Sequence, residues 1–182
     1  MSPPREAHAH IAVRAVDSRR SAASVPGSRR SASSARIVAM IIELAPPNTG
    51  QAFDAMRVLR PALAERDDFV RQVDQRQRPS GYRLIASLPD QGDSAVAVAG
   101  FRLGENLAWG RHLYIDDLST LPAARKQGHA RLLLEWLHDE AVRLRCEQIH
   151  LDSGVGLDRT AAHRLYFSAG FRISSHHFAM EV

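Results

Sequence analysis

The sequence has very little cysteine and no long hydrophobic run, and each shortage excludes a class of protein. Cys146 is the single cysteine, so the chain cannot form an internal disulfide or a zinc site built on several cysteines. No apolar stretch approaches the roughly 18 residues that a membrane-spanning helix needs. We therefore expect a cytoplasmic protein with no membrane partner and no metal site.

Two familiar phosphate-binding loops are also missing. A Walker loop needs Gly-x-x-x-x-Gly-Lys followed by Ser or Thr, and the sequence contains no such stretch. A dinucleotide fingerprint needs Gly-x-Gly-x-x-Gly after the first strand of a βαβ unit, and this is absent as well. Any nucleotide-containing ligand must therefore be held in another way.

The positive charge of the chain is confined to its first part. The net charge is +4 and the pI is about 10, values that suggest a nucleic-acid partner. Residues 1–39, however, contain seven arginines and only two acidic residues, a net charge of +5. Residues 40–182 therefore carry −1, and we expect no nucleic-acid partner for this part of the chain.

Residues 1–36 are rich in Ser, Ala and Arg and show no sustained apolar periodicity. Such a segment buries too little apolar area to offset the entropy of ordering it, so we predict a disordered tail. Three interpretations stay open: an extension with Met40 as the true start, a solvated tail with a weak anionic partner, and a cleaved targeting segment. The folded domain is expected over residues 37–182.

Hydrophobic periodicity in residues 37–182 predicts a mixed α/β (α+β) fold with the order β-α-α-β-β-β-α-β-α-β-β. The longest predicted helix has the strongest signal, because Leu133, Leu134 and Leu137 fall on one helical face. The predicted strands cover 37–44, 82–88, 95–103, 112–120, 147–152, 171–173 and 177–180, and the predicted helices cover 49–60, 65–76, 126–145 and 159–168.

The loop before the longest predicted helix has the composition of an anion site. A helix N-terminus offers unpaired N–H groups and the positive end of the helix dipole, which suit a pyrophosphate. Gly128 and Ala130 leave the backbone accessible, and Arg125, Lys126 and Arg131 add positive charge. Taken alone, this pattern also fits a basic surface turn that caps a helix.

Two motifs, taken in order, resemble those of the GNAT (GCN5-related N-acetyltransferase) family. The first is Leu118-Ser119-Thr120-x-Pro122-x-x-Arg125-x-x-Gly128-x-Ala130, and the second is Ala162-His163-Arg164-Leu165-Tyr166-Phe167-x-x-Gly170-Phe171. The resemblance covers about residues 40–182. It implies the fold of that family and acetyl-CoA as co-substrate.

The resemblance also implies where acetyl-CoA binds. The pantetheine arm would pair with strand backbone near Leu118, whose N–H group would also hold the oxyanion, and the pyrophosphate would bind backbone amides at the helix start. Arg159 stands where many family members have an asparagine, so that cofactor contact does not carry over. The expected cofactor-binding residues are Leu118, Ser119, Thr120, Arg125, Lys126, Gln127, Gly128, His129, Ala130 and Arg131.

Three residues are expected to be catalytic. By resemblance, Tyr166 donates a proton to the departing thiolate; otherwise it is a core aromatic residue. Asp116 and Asp117 are adjacent acids in an apolar strand, where neighbours face opposite sides, so one would face the acceptor and take the amine proton. The alternative is that these acids bind a cationic substrate or cap another element. His112 is a weaker candidate for the base and is expected to be an exposed polar residue.

The implied function is an N-acetyltransferase that transfers the acetyl group of acetyl-CoA to a primary amine of a small molecule. Direct attack in a ternary complex is expected, because no activated cysteine is evident. Two alternatives stay open: a non-catalytic acyl-CoA-binding regulatory domain, and a nucleic-acid-binding protein that uses its basic tail. Family members often pair C-terminal strands between subunits, so a homodimer is a further expectation.

Overall fold

The computed structural model describes residues 12–15, 38–89 and 92–182. Six strands and four α-helices follow one another in this part of the chain. They are β1 (Ala12–Ala15), β2 (Val38–Leu44), α1 (Phe53–Leu59), α2 (Arg66–Gln72), β3 (Arg83–Pro89), β4 (Ala97–Asn106), β5 (Gly110–Thr120), α3 (His129–Arg143), β6 (Gln148–Leu151) and α4 (Thr160–Ser168).

The strands form one mixed sheet in their sequence order, from β1 to β6. The pairs from β1 to β5 are antiparallel, whereas β5 and β6 are parallel. A parallel pair needs a crossover connection, and α3 provides it. None of the described helices is long and apolar enough to cross a membrane.

Helices cover both faces of the sheet. Leu133 and Leu137 of α3 pack with Phe101 in one buried cluster. Phe53 of α1 and Phe69 of α2 belong to a second buried cluster on the other side. Because α1 and α3 both contact β5, the two layers fix the end of α1 and the start of α3 relative to this strand.

An ion-pair network joins the sheet to α3. Arg83 on β3 binds Glu43 and Glu140, each at 2.6 Å, and its guanidinium lies 4.8 Å from the ring centroid of Phe101. Arg143 also binds Glu140, at 2.7 Å. Hydrogen bonds from Arg143 and Arg83 hold the pKa of Glu140 below its usual value, although burial acts in the opposite direction.

Most predicted elements are present, with shifted boundaries. The helix predicted over 126–145 begins at His129, because Gly128 adopts a left-handed conformation with φ of 95°. The helix predicted over 49–60 begins as a 3₁₀ segment, Asn48–Ala52, before α1. The helix predicted over 65–76 leaves α-geometry after Gln72 and continues as a π-helical turn.

The two closing strands predicted over 171–173 and 177–180 are wrong. Residues 171–182 have no regular secondary structure, and the side chains of Phe178 and Met180 are about 90% and 86% exposed. Alternating apolar residues favour a strand only where a neighbouring strand supplies backbone partners. Within the described residues, no strand pairs with this segment.

The prediction of a disordered tail over 1–36 falls almost entirely outside the described residues. The exception is Ala12–Ala15, which forms β1 antiparallel to β2, with Ala12 opposite Ile41. This strand was not expected from the sequence. The unpaired edge of β2 offers backbone donors and acceptors, and a short extended segment can satisfy them by pairing, whatever its own propensity.

Candidate active site

The site begins where β5 and β6 part. Their pairing runs from His112 opposite Gln148 to Ile115 opposite Leu151. Beyond this point β5 continues to Thr120, while β6 has ended. In the described chain, the edge of β5 from Asp116 onward therefore has no β6 partner. Leu118, Ser119 and Thr120, predicted to bind the cofactor, lie on this open edge.

A β-bulge in β5 changes the direction of the two acidic side chains. Gly100 lies opposite Asp117 and Phe101 lies opposite Ile115, so Asp116 is the extra residue. The prediction that the two carboxylates lie on opposite faces of the sheet is wrong. Both carboxylates bind groups on the side of the sheet that α1 and α2 cover, because the bulge breaks the alternation.

Asp116 accepts a hydrogen bond from Arg102 Nε at 2.8 Å. Arg102 also donates to the side chain of Gln77, just after α2. Burial raises the pKa of Asp116 above its usual value, although the Arg102 guanidinium opposes this effect. Asp116 is thus a partly desolvated carboxylate that is hydrogen-bonded to Arg102.

Asp117 is bound on both of its oxygens. It accepts hydrogen bonds from Arg60 Nε and from Tyr82 Oη, each at 2.9 Å. Gly100 makes room for Tyr82, because a Cβ at this position would lie 1.8 Å from the Tyr82 hydroxyl. These contacts join the end of α1 to β5, which gives Asp117 a structural role.

A cavity of about 190 Å³ lies at the point where β5 and β6 separate. Its wall includes Tyr166 from α4 and Asp116 from the bulge, together with Arg60, Asp152 and Arg159, whereas Asp117 is not part of it. The cavity therefore brings together two of the three predicted catalytic residues.

Tyr166 is only 8% exposed, and its ring packs edge-on against Phe171. Burial raises the pKa of the Tyr166 hydroxyl, while the nearby positive charge of Arg159 opposes the rise. The hydroxyl is therefore protonated at neutral pH and can serve as a proton donor. An adjacent guanidinium would stabilise the phenolate that forms after donation.

Asp152 is a cavity residue that sequence reasoning missed. It follows β6 directly and accepts a hydrogen bond from the hydroxyl of Tyr114 on β5. His177 Nδ1 lies 3.0 Å from the same carboxylate oxygen. The one signal in the sequence was a polar residue directly after an apolar strand, the position where sites form at the ends of parallel strands.

The loop between β5 and α3 has the geometry expected of an anion site. Lys126 and Gly128 both have positive φ angles, of 62° and 95°. No side chain caps the N-terminus of α3, so the first backbone N–H groups of this helix are not used by a cap. Arg125, Lys126, Gln127 and Gly128 are all exposed. These residues fit a pyrophosphate.

Several predicted cofactor residues have side chains that point elsewhere. His129 is buried with its Nδ1 2.9 Å from the hydroxyl of Ser87, and burial lowers its pKa. The Ser119 hydroxyl donates to the carbonyl oxygen of Ala55 at 2.6 Å. Arg131 forms an ion pair with Glu135 at 3.2 Å. His129 and Ser119 could therefore contact a cofactor only through their backbone.

The expectation that His112 is exposed is wrong. Its side chain is 6% exposed and meets the rings of Trp109 and His150 edge-on. Trp109 also stacks on His150, with ring centroids 4.0 Å apart. This cluster includes the first residues of β5, at the opposite end of the strand from Thr120, so His112 is a packing residue.

A model of the acetyltransferase (GNAT) family matches residues 51–171. The chain belongs to the GNAT acetyltransferase family. A relative from Bacillus subtilis (strain 168), described as the uncharacterized N-acetyltransferase YhdJ, is 29% identical over 133 residues, which is 72% of this chain and 90% of the relative. GNAT membership confirms the predicted enzyme class, an acyltransferase that depends on acetyl-CoA.

Solved structures share the GNAT fold of this chain. A probable acetyltransferase superposes with a TM-score of 0.67 at 17% identity, covering 78% of this chain and 97% of that one. The aminoglycoside N-acetyltransferase AAC(6')-Iy in complex with CoA gives 0.66 at 12% identity, covering 78% and 93%. At these identities the likeness confirms the mixed α/β fold, while the acceptor and the site residues stay predictions.

Proposed function

We propose that this GNAT protein transfers the acetyl group of acetyl-CoA to a primary amine of a small molecule, by direct attack in a ternary complex. The observation that carries the proposal is the cavity shared by Tyr166 and Asp116, beside the open edge of β5. One potential proton acceptor and one potential proton donor thus line the same small space.

Asp116 is the proposed proton acceptor. An amine must lose a proton before or during attack on a thioester, and a carboxylate with a raised pKa is better suited to take it than an ordinary one. Burial of Asp116 supplies this property, and Asp116 is one of the residues that line the cavity. The Arg102 guanidinium opposes this rise in pKa, because it favours the charged carboxylate.

Tyr166 is the proposed proton donor. Acetyl-CoA supplies a thioester whose sulfur departs as a thiolate, which needs a proton. The buried, protonated hydroxyl of Tyr166 can provide it, and the positive charge of Arg159 can offset the charge left on the phenol oxygen. A backbone N–H group near Leu118 on the open edge of β5 would stabilise the oxyanion.

The residues from Arg125 to Arg131 would hold the phosphates of acetyl-CoA. This assignment is supported by the uncapped start of α3, by the exposed basic side chains of Arg125 and Lys126, and by the left-handed Gly128. Leu118 to Thr120 would bind the pantetheine arm through backbone groups, as a short added strand.

The proposal is tested by measuring thiol release from acetyl-CoA in the presence of a panel of primary amines, secondary amines and lysine-containing peptides. We expect release with one or more small primary amines, together with an acetylated product identified by mass spectrometry. Release only with peptides would contradict the small-molecule acceptor. Acetyl-CoA binding with no release for any amine would favour the non-catalytic, regulatory alternative.

A further inference from the structure

Arg159 is a charged cavity residue that is not matched by an acid. It is half-buried at the N-terminus of α4 and lines the cavity beside Tyr166. The other cavity arginine, Arg60, is bound to Asp117 at 2.8 Å. No described carboxylate forms an ion pair with Arg159. Its guanidinium hydrogen-bonds the hydroxyl of Tyr166, and its remaining N–H donors are available to a ligand.

A second hydrogen-bond donor, the hydroxyl of Ser153, lies in the wall of the same cavity. The hydroxyl of Ser153 is buried, and among the described residues nothing hydrogen-bonds to it. Ser153 lines the same cavity as Arg159. Native structures rarely leave a buried hydroxyl unsatisfied unless a ligand or a water supplies the partner. A hydroxyl and a guanidinium together are suited to a small oxyanion such as a carboxylate.

The same cavity also contains a negatively charged side chain. Asp152 lines it, and among the described residues its carboxylate is paired only with the hydroxyl of Tyr114 and with His177, neither of which carries a permanent positive charge. Asp116 is committed to Arg102 at 2.8 Å. The groups left for a ligand are therefore a cation at Arg159 and an anion at Asp152.

We infer that the acceptor is a small amino acid, whose carboxylate binds Arg159 and Ser153 while its ammonium group is first held by Asp152. This inference rests on the proposed acetyl transfer and names its substrate class. Arg159 adjoins Tyr166, where the thioester sulfur would lie, so the carboxylate and the reacting amine must be close together in the acceptor. The cavity, of about 190 Å³, has room for a small amino acid.

The test compares three forms of each acceptor: the amino acid, its amide, and the amine that lacks the carboxyl group. The amide has a less basic amine than the amino acid, and the decarboxylated form has a more basic one. A preference for the amino acid over both forms therefore cannot result from amine basicity. We expect kcat/KM for the amino acid to exceed both others by about tenfold or more, as a charge-assisted hydrogen bond would give.

Substitution of Arg159 tests whether this residue causes the preference for the amino acid over its amide. In Arg159→Gln the ratio of kcat/KM between amino acid and amide should fall to about one, even if turnover of all acceptors also falls. Arg164→Gln is the matched control, because Arg164 is an exposed arginine on the same helix and does not line the cavity. This variant should retain the wild-type ratio. Thermal unfolding of both variants shows whether they remain folded.

Several outcomes of these measurements would contradict an amino acid as the acceptor. Equal use of the three acceptor forms would overturn the inference, as would an unchanged ratio in Arg159→Gln. A raised KM for acetyl-CoA in Arg159→Gln with the acceptor ratio unchanged would assign Arg159 to the cofactor and also overturn it. Release with amines and amides but not with amino acids would overturn this inference alone. Absence of release with every amine would overturn the proposed function as well.

Discussion

Tyr166 is the side chain proposed as the proton donor. Replacing it by phenylalanine removes one buried hydroxyl and keeps the ring that packs on Phe171. If the hydroxyl protonates the departing thiolate, Tyr166→Phe should lower kcat by about 100-fold, the usual size of a general-acid effect. The dissociation constant for acetyl-CoA, measured by calorimetry, should stay within about twofold of the wild-type value. Unchanged kcat would assign Tyr166 to packing.

Asp116 and Asp117 are adjacent in sequence, but their surroundings predict different consequences of substitution. Asp116→Asn removes a cavity carboxylate with a raised pKa, so kcat at neutral pH should fall by about 100-fold, and the acidic limb of the pH–rate profile should disappear. Asp117→Asn instead weakens the contacts to Arg60 and Tyr82. It should lower the free energy of unfolding by about 1–2 kcal/mol and retain the acidic limb.

Each of these variants is the control for the other. The pH–rate profile and the denaturant unfolding curve are measured for both proteins. Loss of the acidic limb in Asp117→Asn, with the limb retained in Asp116→Asn, would exchange the roles assigned here. Retention of the limb in both would mean that neither carboxylate takes the amine proton.

At the scale of helices and strands, an element is predicted best from the sequence when its apolar residues recur with a clear period and form its buried face. Leu133, Leu134 and Leu137 of α3 are buried as their spacing indicates. The start of this helix was predicted three residues too early, because the positive φ angles at Lys126 and Gly128, which delay the helix to His129, are not evident from the apolar periodicity. The bulge at Asp116 and the absent C-terminal strands depend on pairing with other strands, which local sequence does not encode.

The network around Glu140 predicts how the attachment of α3 to the sheet depends on pH. The pKa of Glu140 is lower in the folded protein than its ordinary value of 4.5. Ionised Glu140 therefore stabilises the fold above about pH 4.5, and this contribution is lost as the pH falls through the lower native pKa. Glu140→Gln should lower the free energy of unfolding by about 1–2 kcal/mol at pH 7, since Arg83 keeps Glu43 as a partner, with a smaller difference at more acidic pH.

The matched control is Glu135→Gln on the same helix. Glu135 is more exposed and, within the part of the chain that the structure describes, pairs with the exposed Arg131 alone, so its loss should change stability by less than about 0.5 kcal/mol at either pH. Denaturant unfolding at neutral and acidic pH measures both variants. An effect of Glu140→Gln that grows as the pH falls would contradict the role given to this ion-pair network.

At the scale of the whole molecule, the site is assembled from segments far apart in the sequence. Arg60 follows α1, Asp116 lies in β5, Asp152 follows β6 and Tyr166 lies in α4. Two motifs were sufficient to predict the fold class and the enzyme class, because each motif is local. The neighbours of the predicted residues, Asp152 and Arg159 above all, could not be predicted in the same way, since the cavity exists only after β5 and β6 separate.

Calorimetric titration with acetyl-CoA tests most directly whether the start of α3 holds the cofactor. The full chain should bind one acetyl-CoA, and Gly128→Val should raise the dissociation constant by more than about tenfold, because a branched side chain at a φ of 95° blocks the phosphate approach. Gly81→Val, at a φ of 85° in open space, controls for backbone strain and should bind as the wild type does. No binding by the wild-type chain at about millimolar acetyl-CoA, or equal binding by Gly128→Val, would contradict this assignment.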